Sequence, residues 1–490
     1  MARSHRLGGS GSRNRHFAVR RICWLWMALL ASLSPGAAHG GQQRQSAPAV
    51  LCDGRTLDGA AGAARLIIRD TSNVIIRNCV FRNFTRDPIV IERSSDIVIE
   101  NSRFENNRTT TERRDTHGVN IPAEGQRIII RNNVFVNNGG DGVQMGDTAA
   151  EENRGNIRDI QILNNTFTVT GDDIGENGVD IKRTHGAVLV AGNTIHGFRP
   201  CEPSQMGCTG APGEGIVVHM GAQDVTIERN KIFDNIHGIS IGDGFIPIPP
   251  RNILVRNNWI SGNQGRAINI SRAHSVRLVN NTLVNNARHL AISETPVSGD
   301  GVCLNSNNLF AGGPAPDAAC APQSNLYHAA AGAAAFANLA GGDFHLTAAS
   351  PALNRGQSLS LVPQDFDGQP RPSGPAADIG ADELPATPSD CMTATAASWK
   401  TVPLAAPQTG TFTVEGTLTP PVAATSGAFA LAANTPASGA WADLAAIVLF
   451  DDLSGTIKAR DGAANVDAPA PLRYQAGAAY RIRMTVNVSA

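Results

Sequence analysis

Asp180 and Lys182 stand two apart in the run Gly178-Val179-Asp180-Ile181-Lys182. Val179 and Ile181 supply the apolar half of an alternation with period two, the pattern of a strand with one buried face. With those two pointing inward, Asp180 and Lys182 point outward, side by side. An acid and a base on a rigid face can move a proton or grip a charged ligand. They can equally form a surface ion pair, which is common and worth little. The surrounding stretch, residues 176–198, reads as one turn of a solenoid. A turn at Thr184-His185-Gly186 follows the first strand, and a second strand at 188–190 leads into Gly192-Asn193-Thr194-Ile195.

This unit recurs over residues 65–310. Its copies read VIIRNCVF from 74, IVIENSRF from 97, IIIRNNVF from 128, IQILNNTF from 160, VLVAGNTI from 188, VTIERNKI from 225, ILVRNNWI from 253 and VRLVNNTL from 276. Variable spacing places inserted loops at one point of the repeat, as in a solenoid whose coils bury their faces only against neighbours. Two ladders follow. Phe81, Phe104, Phe135, Phe167, Ile195, Ile232, Ile260, Leu283 and Phe310 should stack inside. Two residues earlier, Cys79 and Ser102 give way to Asn133, Asn165, Asn193, Asn230, Asn258, Asn281 and Asn308. Asn suits a sharp bend because it tolerates the left-handed conformation, and stacked amides can bond to one another. These Asn residues are assigned no chemistry.

Aligning the first strands yields an outward face. It carries Asn120, Gln144 and Asp180 with Lys182, then Val217 with His219, Ser240, and Asn269 with Ser271. Just ahead of the strands sit Asp87, His117, Asp141, Asn177, Glu214, His237 and Arg266. Coils lie about 4.8 Å apart. Asp141, Asp180, Lys182, Glu214, His219 and His237 are therefore expected in one shallow groove, with Arg183 and His185 on the adjoining turn. Loops at 147–158, 168–175 and 199–213 are placed to wall it.

Stacked coils, an Asn ladder, an aromatic ladder and strands of the form D/H/N-G-V-x-I-x resemble the right-handed parallel β-helix of pectate-lyase-like proteins. The fold implied is an all-β parallel β-helix; that scaffold carries lyases, hydrolases, epimerases, esterases and adhesins. The resemblance favours a lyase that cleaves a uronic-acid-containing polysaccharide by β-elimination. Such a site needs positive charge or donors on the uronate carboxylate and a base for the C5 proton. By that resemblance Lys182 is the candidate base, Arg183 a carboxylate ligand, and His219 an acid or alternative base. Asp141, Asp180 and Glu214 are candidate ligands for Ca²⁺, a hard cation that prefers oxygen. Gln144, Asn177, His237 and Asn269 are candidate substrate contacts. A second reading is a polygalacturonase-like hydrolase, on Gly171-Asp172-Asp173 and His237-Gly238-Ile239-Ser240-Ile241-Gly242, although Asp172 and Asp173 fall ahead of the strand. A third is a glycan-binding or surface protein without catalysis.

Beyond the repeats, GGDFHLTAASPALNRG from 341 and DFDGQPRPSGPAADIGADE from 365 resemble the closing segment of exported bacterial β-helix proteins of the choice-of-anchor type. A cap over the open end is expected there, since exposed strand edges invite pairing. The acids of 365–383 also suggest calcium, but the Pro and Gly among them fit an ordered cap. The domains read as β-helix with cap over 41–383, linker over 384–398 and a β-sandwich-like accessory domain over 399–490. The chain stops right after a strand, so a further strand or anchoring tail is expected beyond it.

At the other end, Arg20-Arg21, an apolar core over 23–30 and small residues at Gly36-Ala37-Ala38 read as a signal peptide over 1–40. The alternative is an uncleaved anchor, against which the core is short. A secreted or cell-surface protein is expected, as a monomer with an acidic polysaccharide as partner. Net charge is −1 over 490 residues, which offers no bulk attraction to nucleic acid or a membrane surface. Export permits disulfides among the eight cysteines; Cys52–Cys79, Cys201–Cys208 and Cys303–Cys320 are candidate pairs, leaving Cys391 odd. Their spacing fits no zinc motif.

Overall fold

The computed structural model describes residues 47–109, 111, 115–146, 157–171, 174–199, 213–242, 248–292, 303–317, 322–385, 410–420, 427–432, 444–461, 464–476, 478 and 480–488. The signal-like segment, Cys201, Cys208, Cys320, Cys391, Asp172, Asp173 and most of the expected wall loops lie outside them. No helix among the described residues is long and apolar enough to cross a membrane. The chain divides into two compact units, one spanning Gln42–Pro388 and one containing Ser389–Ala490.

The larger unit is a right-handed parallel β-helix. A typical coil has three strands, as in Asn177–Lys182, Val188–Ala191 and Thr194–His196, while in two coils the first and second run together as Ile89–Glu100 and Val119–Arg131. The third strands form a sheet of eleven among the described residues, and the first and second strands together make a larger parallel sheet. Strand register matches the repeat alignment: Gln144 lies opposite Asp180, Asp180 opposite Val217, and Lys182 opposite His219.

Inside, Phe81, Phe104, Phe135 and Phe167 stack with ring centroids 4.9, 4.6 and 4.7 Å apart, and Ile195, Ile232 and Ile260 continue the file. Position 178, the second of its strand, is Gly because a Cβ there would lie 2.6 Å from the Gly215 carbonyl and 2.7 Å from Ile195. The glycine of the repeat is thus imposed by the packing distance between coils.

The Asn ladder forms a continuous chain of amides. Asn165 Nδ2 donates to Asn193 Oδ1 at 3.0 Å, Asn193 to Asn230 at 3.0 Å, and Asn230 to Asn258 at 3.0 Å. Each Oδ1 also accepts the backbone N–H of the preceding coil's ladder residue. The left-handed residue of the bend is not the ladder Asn, as the sequence suggested, but the one before it: Asn132, Asn164, Gly192, Arg229, Asn257 and Asn280. A left-handed residue sets the corner, and the next turns its amide inward. A second ladder, Asn235 to Asn263 to Asn286, runs at the following corner.

Cys52 and Cys79 form a disulfide near the N-terminal end. Cys303 is also disulfide-bonded. The closing segment packs on the sides of the coils. It runs back along the flank, where Phe366 stacks on Trp259 at 4.0 Å, Asn280 donates to the Asp378 and Gly380 carbonyls, and Thr282 Oγ1 accepts the Ala381 N–H. Its acids are largely saturated. Asp365 takes the N–H groups of Asp367, Gln369 and Glu383, while Glu383 takes those of Ser373 and Asp378 together with Arg371. Such carboxylates hold a polar knot together and are not free for calcium.

The smaller unit pairs Gly410–Leu418 with Tyr480–Val488 in one antiparallel sheet and builds a second from four strands between Gly427 and Arg473. Phe450, Tyr474, Ile482 and Met484 form its core between the two sheets, a sandwich arrangement.

Candidate active site

The strand Asn177–Lys182 is buried on both faces, so the outward pair of the sequence is not a surface pair. Lys182 Nζ lies 2.6 Å from Asp180 Oδ2 and donates to Gln144 Oε1 at 2.8 Å. His219 Nε2, one coil on, lies 2.9 Å from Asp180 Oδ1. One carboxylate thus bridges an ammonium and an imidazole. Asp180 is 2% exposed. Burial alone would raise its pKa, but His219 and Lys182 bring it down to about 2. Burial pulls Lys182 the other way, and Asp180, Asp141 and Glu176 more than offset it, so Lys182 is held as an ammonium.

Beside this triad lie acids that the sequence reading passed over. Asp115 and Glu176 share a side-chain hydrogen bond. Burial, reinforced by Asp141, raises both, Glu176 well above its ordinary value. Two hydrogen-bonded carboxyls in one buried place cannot both ionise cheaply, so the pair retains a proton. Glu214 is likewise raised by burial and accepts the Ser240 hydroxyl. The signal was present in sequence: Asp115 and Glu176 stand one or two residues ahead of the column of His117 and Asn177, just outside the aligned window.

That column has its own task. Asp87 Oδ1 accepts the His117 N–H at 2.8 Å, Asn177 Oδ1 accepts the Glu214 N–H at 3.3 Å, and His237 Nδ1 accepts the Arg266 N–H at 3.0 Å. Each side chain ties its coil to the next. Asn177 Nδ2 also donates to Asp141 Oδ1 at 2.8 Å. His117 Nδ1 is 3.0 Å from the Asp141 amide nitrogen and 3.2 Å from Asp141 Oδ2. Oδ2 is buried and finds no other donor. Only a protonated Nδ1 can satisfy it. Burial opposes that proton, but Asp141, Asp87 and Asp115 favour it and lift His117 to about 9.

A model for a right-handed β-helix region matches residues 53–167 and 152–310. The chain belongs to the right-handed β-helix family. No curated protein matches its sequence. Among solved structures it is similar to pectate lyase Pel9A, at 15% identity and TM-score 0.45, over 68% of this chain and 97% of that one. It is similar to PfbA, a surface adhesin of Streptococcus pneumoniae, at 16% identity and TM-score 0.37, over 47% of this chain and 59% of that one. It is also similar to an alginate lyase from Paenibacillus sp., at 16% identity and TM-score 0.34, over 50% of this chain and 79% of that one.

Within this β-helix the structure brings Lys182, His219, Asp180 and Gln144 into one contact network, with Asp141 and Glu214 in adjoining coils. Arg183, buried and left-handed at φ 50°, forms the turn that follows. His237 and Asn177 are engaged with neighbouring backbone. Asn269 follows Asp180 by three register steps, through Val217 and Ser240, or about 14 Å at the usual strand spacing, and so stands outside the network. The calcium set does not assemble. Asp180 is already engaged by Lys182 and His219, Asp141 and Glu214 bond to Asn177 and Ser240, and the three are not among the described side chains whose ligand atoms converge within 4.8 Å.

Proposed function

We propose that this β-helix is a secreted polysaccharide lyase that cleaves a uronic-acid-containing polymer by β-elimination. The observation that carries the reading is the bridge of Asp180 between Lys182 and His219. An ammonium has three protons. Asp180 and Gln144 take two, and the third is available to a uronate carboxylate, whose neutralisation acidifies the adjacent C5–H. The base is then His219 and not Lys182, because Lys182 is held protonated. With Nε2–H donated to Asp180, the Nδ1 lone pair of His219 is left to accept the C5 proton, and Asp180 fixes that tautomer. The electron pair released from C5–H forms the C4–C5 double bond, the C4–O bond breaks, and the departing oxygen takes a proton. The protonated Asp115–Glu176 pair can supply one.

Hydrolysis is the weaker reading. Its two carboxyls should stand about 5–5.5 Å apart for retention or about 6.5–9.5 Å for inversion. Asp115 and Glu176 are hydrogen-bonded to each other, closer than either arrangement. The test is incubation with a panel of uronic-acid polymers, following the ultraviolet absorbance of the unsaturated product. A rise that is lost in His219→Ala supports the lyase. New reducing ends without absorbance replace it with a hydrolase, and neither signal leaves a non-catalytic glycan-binding protein.

A further inference from the structure

On the flank of the helix, far in sequence from the triad, three ligand-type side chains converge. One ligand atom each from His345, Asp367 and Asp382 lies within 4.8 Å of the others. Their positions are fixed by packing. In the strand Asp343–Leu346, Phe344 and Leu346 face the core, so Asp343 and His345 share the outer face. Asp367 sits in the turn that Asp365 closes, next to Phe366 stacked on Trp259. Asp382 is only 2% exposed, and its Oδ2 accepts the Leu346 N–H at 2.6 Å. Its other oxygen meets no donor and no cation among the described residues. A carboxylate so far withdrawn from water is stabilised by a cation beside it.

The imidazole is set up in the same sense. Nδ1 of His345 faces Asp343 Oδ1, which also takes the His345 backbone N–H at 3.2 Å. A carboxylate on one ring nitrogen fixes the tautomer and presents the other as a lone pair, the usual support for a metal-bound histidine. That other nitrogen, Nε2, lies 2.7 Å from Asp367 Oδ2. Ligands on a tetrahedral zinc stand about 3.4 Å apart, given Zn–N and Zn–O near 2.1 Å. An ion can therefore replace the proton now shared between Nε2 and Asp367 with a small outward shift of Asp367, which is an exposed turn residue.

We propose that His345, Asp367 and Asp382 form a binding site for a divalent transition-metal ion such as Zn²⁺, supported by Asp343, which cross-links the two runs of the closing segment to each other. A ring nitrogen among the donors selects against Ca²⁺ and Mg²⁺, which prefer oxygen alone. The site is independent of the lyase reading.

The test is calorimetric titration of the full chain with Zn²⁺ after dialysis against a chelator, with thermal unfolding in parallel. One equivalent is expected to bind and raise the unfolding temperature. Asp367→Asn, at an exposed position, should abolish both effects. Asp343→Asn, which touches no metal, should weaken binding about 10–100-fold. Lys182→Met, in the other site, should leave Zn²⁺ binding unchanged. Absence of stoichiometric binding overturns the proposal, as does binding that survives unaltered in Asp367→Asn. Loss of polymer cleavage with zinc binding intact bears on the lyase alone.

Discussion

Two corners of the same coil solve one problem differently. At the bend between second and third strands, Asn after Asn links each coil to the next, neutral and fully bonded. At the bend leading into the first strand, Asp87, Asn177 and His237 also reach a neighbouring coil's N–H, but the column is chemically mixed and its middle is ionic. Asn177 shows that an amide suffices there. The ionisable residues of the middle coils are thus more than the fold requires, and burying them costs desolvation that the Asn corner avoids. A cost concentrated in adjacent coils and absent from the other corner is what the proposed lyase site accounts for.

The comparison can be broken most directly at His219. Replacing it with Ala should lower polymer cleavage by about 10²–10⁴-fold, the usual worth of a positioned base, while Asn230→Ala leaves the rate nearly unchanged. Equal losses in both, measured as kcat/KM, would erase the distinction between corners. Next comes Lys182→Met. It leaves Asp180 buried with His219 as its remaining partner, and removal of one member of a buried pair costs about 3–5 kcal/mol in denaturant unfolding. Adding Asp180→Asn should recover part of that loss, and no recovery would mean the carboxylate is solvated. Asn230→Ala should cost about 1–3 kcal/mol, because it strips Asn193 and Asn258 of buried partners.

The smallest effect concerns Glu176. Burial and its acidic neighbours raise it, so the folded chain keeps a proton that the unfolded chain releases above about 4.5. Stability then falls as pH rises from that value through the raised one. Asp115 and Glu214 act in the same direction. In Glu176→Gln the melting temperature should fall less between about pH 5 and about pH 7 than in the parent. An unchanged slope would place the retained proton elsewhere.

Much of this was legible in the chain. The Phe and Asn files occur at fixed offsets, and register in a solenoid repeats, so Lys182 could be set opposite His219 by alignment alone. The left-handed residue was misplaced by one because adjacent asparagines look interchangeable in sequence. Asp115 and Glu176 were missed because they precede the periodic window, where only the path of the turn decides which way a side chain faces. The acids of the calcium set do not converge for a related reason: sequence puts them in neighbouring coils but does not say which donors reach them first.

By itself the sequence determined the helix, its coils, its interior files and the face on which charge collects. These follow from period-two alternation and from the repeat, both local properties summed along the chain. Only the tertiary structure decided that the Asp180–Lys182 pair is buried, that it extends to His219, and that Lys182 is thereby held as a cation. It alone placed the closing segment on the flank. Burial and pKa depend on what neighbouring coils lay over a residue, and no spacing along the chain records that.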